Sequence, residues 1–317
     1  MNYKLIMTVA EAEDHDKWLF TRNAGIGGSD AGIIMGLNPY KSLYELWLEK
    51  TGVKEPDDLS NNERVYWGTQ LEDLVAKEFA KRTSYEVRRI GTVQSVEHPF
   101  MIANIDRWIV GRDFGLECKT AGAYADKDWQ DDEIPASYYC QCLHYMAVTG
   151  APCWYIAALI GGNKFVYKKI ERNEDDIKAL IAEEKKFWEM VKTNTPPPID
   201  GTASCMKAIK GKYIADPGSE TILPDEAADI ISELDKDAEV EKALKESIQL
   251  KKNLLMDMMG KFEVGRVGDR KVTWKMTKSK ETISLSRIKK EDKGSYEALK
   301  AAGLITVSEP SRTFRVW

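Results

Sequence analysis

The sequence predicts an α/β (α+β) fold: a central mixed sheet flanked by helices, then a C-terminal helical and β extension. Three observations predict it. Helical and strand patterns alternate over the first 200 residues in the order helix, helix, helix, strands, helix, strands, helix. Apolar residues make up 43% and charged residues 31%, which suits a packed core and argues against disorder. Pro196, Pro197 and Pro198 form a seam that no helix continues through. Residues 1–200 therefore read as one domain, 201–224 as a linker and 225–317 as an extension.

The elements follow in order. Ser29 and Asp30 start a short helix that runs to about Met35. Ser42 caps a helix through Lys50, closed by Gly52. Residues 62–82 form a long helix. Residues 101–110 and 116–120 read as strands around a turn at 111–115. Residues 136–149 are helical and stop at Gly150 and Pro152. Residues 153–160 and 164–170 form a hairpin around Gly161, Gly162 and Asn163. Residues 175–192 form a surface helix with Ile177, Leu180 and Phe187 on its inner stripe. In the extension, 225–259 is a helix about 50 Å long at 1.5 Å per residue. Its apolar stripe points to self-association, so a homo-oligomer is expected. Residues 272–276 and 313–317 read as strands, with a helix near 295–302.

Composition excludes several function classes. The longest apolar run, 153–160, is far short of the roughly 20 residues that span a bilayer, so no membrane association is expected. The first 16 residues hold four acids and no secretory pattern. Five unevenly spaced cysteines fit a reducing compartment, so the cytoplasm is expected. The chain carries a net charge of −5, but unevenly. Residues 1–200 hold 24 basic and 32 acidic groups; residues 251–317 hold 16 and 8. A basic tail on an acidic body reads as a nucleic-acid contact, a dock for an acidic partner, or a solvated surface.

Three carboxylates lie among apolar neighbours. Glu72 shares a helical stripe with Gly68, Val75 and Phe79. Strand alternation puts Asp106 on one face with Asn104 and Trp108. Glu117 and Lys119 share a face opposite Leu116, Cys118 and Thr120. Buried carboxylates need a partner or a metal. Mg²⁺ fits converging carboxylates, and the backbone carbonyl of Cys118 is a further candidate ligand. Lys119 would then orient an attacking water or neutralise transition-state charge. An ordinary strand ion pair between Glu117 and Lys119 is the plainer alternative. Gln141 and Tyr145 share a stripe on the next helix, where the amide either positions a metal-bound group or faces solvent. Arg22 precedes a Gly-rich loop, 25–30, in which Gly28 and Ser29 enter a helix; this reads as an anion cradle or a capped turn. The cysteines and His15, His98 and His144 show no metal-ligand spacing.

Together these pieces resemble the YqaJ-like viral recombinase family, relatives of lambda exonuclease in the PD-(D/E)xK nuclease superfamily. The resemblance covers about residues 15–193. It is carried by Arg22 with Gly25-Ile-Gly-Gly-Ser-Asp30, Asn38-Pro-Tyr-Lys-Ser42, Trp67-Gly68 with Glu72, Ala103-Asn-Ile-Asp106, Leu116-Glu117 with Lys119, and Gln141 with His144-Tyr145-Met146. It implies a restriction-endonuclease-like core and Mg²⁺-dependent hydrolysis of DNA, with Mn²⁺ as a substitute. The usual activity is a 5′→3′ exonuclease on double-stranded DNA ends, feeding a single-strand annealing partner in phage recombination within the bacterial host cytosol. On this likeness Glu72, Asp106 and Glu117 bind metal, Lys119 is catalytic and Gln141 supports the site. Arg22 and Ser29, with Gly28 and Tyr145 beside them, hold phosphate or DNA. One departure is Arg107, where relatives often have Gly; it reads as a surface charge or a DNA contact. A structure-specific endonuclease, a non-catalytic DNA-binding or assembly module, and an RNA substrate are the alternatives.

Overall fold

A computed structural model describes residues 2–131, 133–213, 215–308 and 313–316. The chain divides into two compact units, Met1–Ile214 and Ala215–Trp317.

The first unit runs β1 (Tyr3–Met7), α1 (His15–Asn23), α2 (Gly28–Ile34), α3 (Leu43–Lys50), α4 (Glu63–Thr83), β2 (Val87–Arg88), β3 (Thr92–Ser95), β4 (Ile102–Asn104), β5 (Arg107–Ile109), β6 (Gly115–Ala121), α5 (Ala136–Thr149), β7 (Cys153–Ile160), β8 (Lys164–Glu171), α6 (Glu174–Lys192) and α7 (Ala203–Lys212). The main sheet has five strands in the order β2-β5-β6-β7-β8. Only β6 and β7 pair in parallel, across the α5 crossover, so the sheet is mixed as expected. A three-stranded antiparallel sheet, β1-β3-β4, stands apart from it.

Helices cover both faces of β7, which explains its unbroken apolar sequence. Trp154, Ile156, Ala158 and Ile160 face a core shared with Leu143, Met146 and Val148 of α5. Ala157, between them, faces a second core with Val75, Ala76 and Phe79 of α4. The same alternation sorts β6. Leu116 and Cys118 enter the α4 core, which leaves Glu117 and Lys119 on the α5 side.

Two sequence expectations for this first unit need correction. Residues 101–110 are not one strand. The chain leaves β4 in the small sheet, passes Ile105 and Asp106, and enters β5 in the large one. Simple alternation therefore fails: Trp108 sits in the α5 core, while Asn104 and Asp106 line a cleft. The second correction concerns 201–224. Its first part is α7, which packs on α3 rather than linking. Cys205 and Ala208 are buried with Trp47, Leu48 and Phe187, and the Ser42 amide donates to Ser204 Oγ at 2.8 Å. The compact unit accordingly reaches residue 214.

The second unit runs α8 (Glu226–Met259), the hairpin β9 (Val264–Val267) and β10 (Arg270–Thr273), α9 (Leu285–Glu291) and α10 (Lys293–Ala301). The long helix falls where its periodicity places it. The strand expected at 272–276 ends at Thr273 and is the second arm of the hairpin. No strand forms at 313–316, and Trp317 lies outside the described residues. All five cysteines are buried and free. Among the described residues, no helix is long and apolar enough to cross a membrane.

Candidate active site

The switch between the two sheets creates the site. Strand β5 covers only Gly115 and Leu116 of β6, so from Glu117 onward that edge of β6 has no strand beside it. Asp106, in the crossing segment, fills the place: the Cys118 amide donates to Asp106 Oδ2 at 2.8 Å. In an extended strand the N–H and C=O of one residue point the same way. The Cys118 carbonyl therefore points to the same open edge.

Glu117 is 2% exposed. Its Oε1 accepts from Gln141 Nε2 at 2.7 Å and forms an ion pair with Lys119 Nζ. Its Oε2 is buried with no hydrogen-bond partner. Gln141 also accepts from Lys119 Nζ at 3.0 Å through Oε1, and its Nε2 donates to the Tyr145 hydroxyl at 2.8 Å. The amide is thus neither solvent-facing nor incidental; it joins strand acid, strand lysine and helix phenol. Burial, then the charges of Glu117 and Glu72, push the Asp106 carboxyl well above its ordinary value. Burial opposes the Lys119 charge, but Glu117 and Asp106 outweigh it and raise the ammonium pKa. Burial, with Glu117 and Asp106, also pushes the Tyr145 phenol well up, so it stays protonated.

A cleft of about 330 Å³ gathers nearly every residue that the sequence singles out: Arg22, Gly28, Ser29, Glu72, Asp106, Glu117, Cys118, Lys119, Gln141 and Tyr145. A second cleft, of about 390 Å³, shares Trp18, Thr69, Glu72, Asn104 and Asp106 with it and so extends the groove past Asp106. At one end, Arg22 Nη2 donates to Ser29 Oγ at 2.9 Å, and its guanidinium lies 5.1 Å from the centre of the Trp18 ring. The Trp18–Arg22 spacing of four is a helical neighbour signal that would have found Trp18.

Within the Gly-rich loop, the Gly27 amide is turned inward, while Gly28 and Ser29 open helix α2 and line the cleft. The Gly27 amide is occupied, donating to Asp30 Oδ2 at 3.0 Å. Asp30 is buried against Lys50 at 2.8 Å, and Lys50 Nζ also donates to the carbonyls of Arg22 and Gly25 at 2.9 and 2.7 Å. Burial works against the Asp30 charge, but Lys50 and then Arg22 overcome it and hold its carboxyl below the ordinary value. Gly28 serves packing: a Cβ there would stand 2.5 Å from Tyr145 Cε1. Tyr145 is itself 3% exposed, with its hydroxyl on Gln141, so it supports the amide from behind.

Arg107 is neither a surface charge nor free for DNA. Its side chain is buried, pairs with Glu72 and Asp73, and donates to the Asp106 carbonyl. Glu72 reaches the cleft but is held by this guanidinium. Among the described residues, no three His, Cys, Asp or Glu side chains are gathered as a metal cluster. The candidate oxygens for a cation in this cleft are those of Asp106 and Glu117 and the Cys118 carbonyl. The partnerless Glu117 Oε2 and the raised Asp106 make this donor set fit a hard divalent ion, which would replace Lys119 in neutralising it.

Helix α5 is pinned by a pair that no sequence spacing announces. His144 Nδ1 contacts Glu184 Oε1 and its Nε2 contacts the Ile102 carbonyl, both at 2.8 Å, and both side chains are fully buried. The Ile102 carbonyl can only accept, so Nε2 carries a proton, and a further proton lies in the Nδ1–Glu184 contact, where burial also raises the Glu184 carboxyl. Burial opposes a charge on the ring, but Glu184 holds the imidazole pKa above its ordinary value. The ring ties α5, which bears Gln141, to β4, which leads into Asp106.

Comparison with known proteins bears on this arrangement. The model of the YqaJ-like viral recombinase domain matches residues 17–152, which include every residue of the cleft. The YqaJ protein of Bacillus subtilis (strain 168) is 39% identical over 290 residues, 90% of each chain. This chain belongs to the YqaJ-like viral recombinase family. Among solved structures, an alkaline exonuclease from Laribacter hongkongensis, LHK-Exo, superimposes with a TM-score of 0.50 at 16% identity, covering 57% of this chain and 94% of that one. At that identity the likeness is one of fold: the YqaJ-like chain shares the exonuclease's mixed α/β architecture. The YqaJ-like match ends before β7, so the extension from Ala215 lies outside it, although the Bacillus relative spans most of the chain.

Proposed function

We propose that this chain is a divalent-metal-dependent DNA exonuclease that degrades double-stranded ends in the 5′→3′ direction. The observation that carries the reading is the meeting of Asp106, Glu117, Lys119 and Gln141 in one cleft with Arg22 and Ser29. The first group suits phosphodiester hydrolysis, and the second suits a terminal phosphate a short way along the groove. The fold likeness to an alkaline exonuclease supports the same choice.

In this reading Asp106, Glu117 and the Cys118 carbonyl hold Mg²⁺, or Mn²⁺ in its place, and Glu72 joins them on leaving Arg107. A bound ion of this kind supplies Lewis-acid stabilisation of phosphoryl charge and eases deprotonation of the attacking water. Lys119 donates to the attacking water or a non-bridging oxygen, where charge grows in the transition state. Gln141 fixes the Lys119 and Glu117 side chains, and Tyr145 and His144 fix Gln141. Arg22 and Ser29 grip the 5′-phosphate, with Trp18 holding the guanidinium flat. Attack is in line and needs no enzyme nucleophile. The single strand left behind would pass to an annealing protein in phage-type recombination in the bacterial cytosol. The exposed apolar positions of α8, Ile230, Leu234, Leu244 and Ile248 among them, favour a homo-oligomer.

The test is a comparison of linear and covalently closed duplex DNA in Mg²⁺, with 5′-phosphate or 5′-hydroxyl ends. The reading expects loss of nucleotides from linear DNA only, faster with the phosphate, and a preference that vanishes in Arg22→Ala. Equal cutting of closed circles would replace it with an endonuclease.

A further inference from the structure

The first unit and the tail differ in charge, and the hairpin β9–β10 carries part of the tail's positive charge. Its register sets Arg266 opposite Lys271 and Val264 opposite Thr273, so these four side chains share one face. The other face carries Gly265 and Val272 and packs on the end of α8: a Cβ at Gly265 would meet Met259 Cγ at 3.6 Å. Arg266 and Lys271 are therefore on the outer face, and both are exposed.

Like charges directly opposite each other destabilise a hairpin. Among the described residues, no ion pair engages either one; the ion pairs of this unit join Lys245 to Glu241 and Arg287 to Glu291. Nearby, Glu263 accepts from the Met276 amide, and Asp269 lies in the hairpin turn. Lys275 continues the alternation of Lys271 and Thr273, whereas Arg270, opposite Val267, belongs to the other face. Phe262 and Trp274, at the open end of the hairpin, are 65% and 49% exposed. A basic pair on a hairpin whose open end exposes aromatic rings suits a ligand with both phosphates and stacking faces.

We propose that the outer face of β9–β10 is an additional contact for the phosphodiester backbone of DNA, made by residues outside the first unit. The choice of DNA over RNA rests on the proposed function; the contact itself does not.

The experiment uses the full chain in chelator, so that nothing is cut. Fluorescence anisotropy with a labelled 30-base-pair duplex and with a thymidine 30-mer is followed across salt concentration. Arg266→Glu should weaken binding at least several-fold and reduce the log–log salt slope by about 1–2, since about one phosphate contact is lost and one repelled. The same change places an acid opposite Lys271, so hydrogen-exchange protection of the β9–β10 amides should rise. Affinity and hairpin stability then move in opposite directions, which misfolding cannot mimic. Lys271→Glu should repeat the pattern, and Arg266→Lys should keep the affinity. Unchanged binding in both acidic variants overturns the proposal. So does polyglutamate competing as well as unlabelled DNA, or a clear preference for an RNA of the same sequence. A chain that never hydrolyses DNA, yet binds it through Arg266, would remove the proposed reaction and leave this contact standing.

Discussion

Gly28 and Tyr145 are fitted to each other: the phenol ring occupies the space where any side chain at position 28 would begin, 2.5 Å from the ideal Cβ. The contact joins the start of α2, which bears Ser29, hydrogen-bonded to Arg22 of α1, to the helix that bears Gln141. Gly28→Ala must displace the ring, and with it the hydroxyl that Gln141 Nε2 contacts at 2.8 Å. Overpacking of this kind costs about 1–3 kcal/mol. Chemical denaturation should show that loss, and hydrolysis should fall further than stability alone explains. Wild-type turnover in the alanine variant would mean that the ring does not set the amide.

Asp106 carries a cost that a cation should remove. Its folded pKa is raised by burial and by the Glu117 and Glu72 charges. Between the ordinary carboxylate value and the raised one, the folded chain keeps a proton that the unfolded chain has lost. Metal-free stability therefore falls as pH rises through that window. Asp106→Asn removes the cost, so in chelator at alkaline pH it should melt above wild type. Adding Mg²⁺ should reverse the order. Wild type gains about 2.7 kcal/mol at a hundred times Kd, and the asparagine variant gains little. Equal Mg²⁺ shifts in the two proteins, read by differential scanning calorimetry, would remove Asp106 from the ligand set.

The buried pair Asp30–Lys50 predicts the opposite pH sign. Here Lys50 and Arg22 overcome burial and lower the Asp30 pKa. The stability it contributes is complete above the ordinary Asp value, about 3.9, and is lost as pH falls through the folded value. Asp30→Asn leaves Lys50 buried with only two carbonyls and should cost about 3 kcal/mol at neutral pH. The difference from wild type should shrink on acidification. A gap in denaturation midpoint that stays constant down to pH 2 would show that Asp30 works by shape rather than charge.

How much of this could be read in the sequence depended on the range of the signal. Glu72, Asp106 and Glu117 were visible because acids in apolar runs are costly, and the cleft brings them near one another. The α8 helix and the β7–β8 hairpin were visible because their patterns are local. The break at Asp106 was not, since 101–110 is largely apolar around Asn104, Asp106 and Arg107 and holds no Gly or Pro to mark a change of sheet. Helix α7 was hidden behind three prolines, and only its packing on α3 gives it a buried face. His144–Glu184 lies 40 residues apart in sequence and Lys50–Asp30 lies 20 apart, on different helices. Pairs of that kind leave no periodic trace. Arg107 was misjudged for the same reason, because its partners on α4 are more than 30 residues away.

The most direct measurement is digestion of end-labelled duplex DNA in Mg²⁺ by wild type and by Glu117→Ala, each first shown to be folded by circular dichroism. Nucleotide release by wild type, with none above background from the folded variant, is the predicted result. Release at the wild-type rate from the variant would contradict the account.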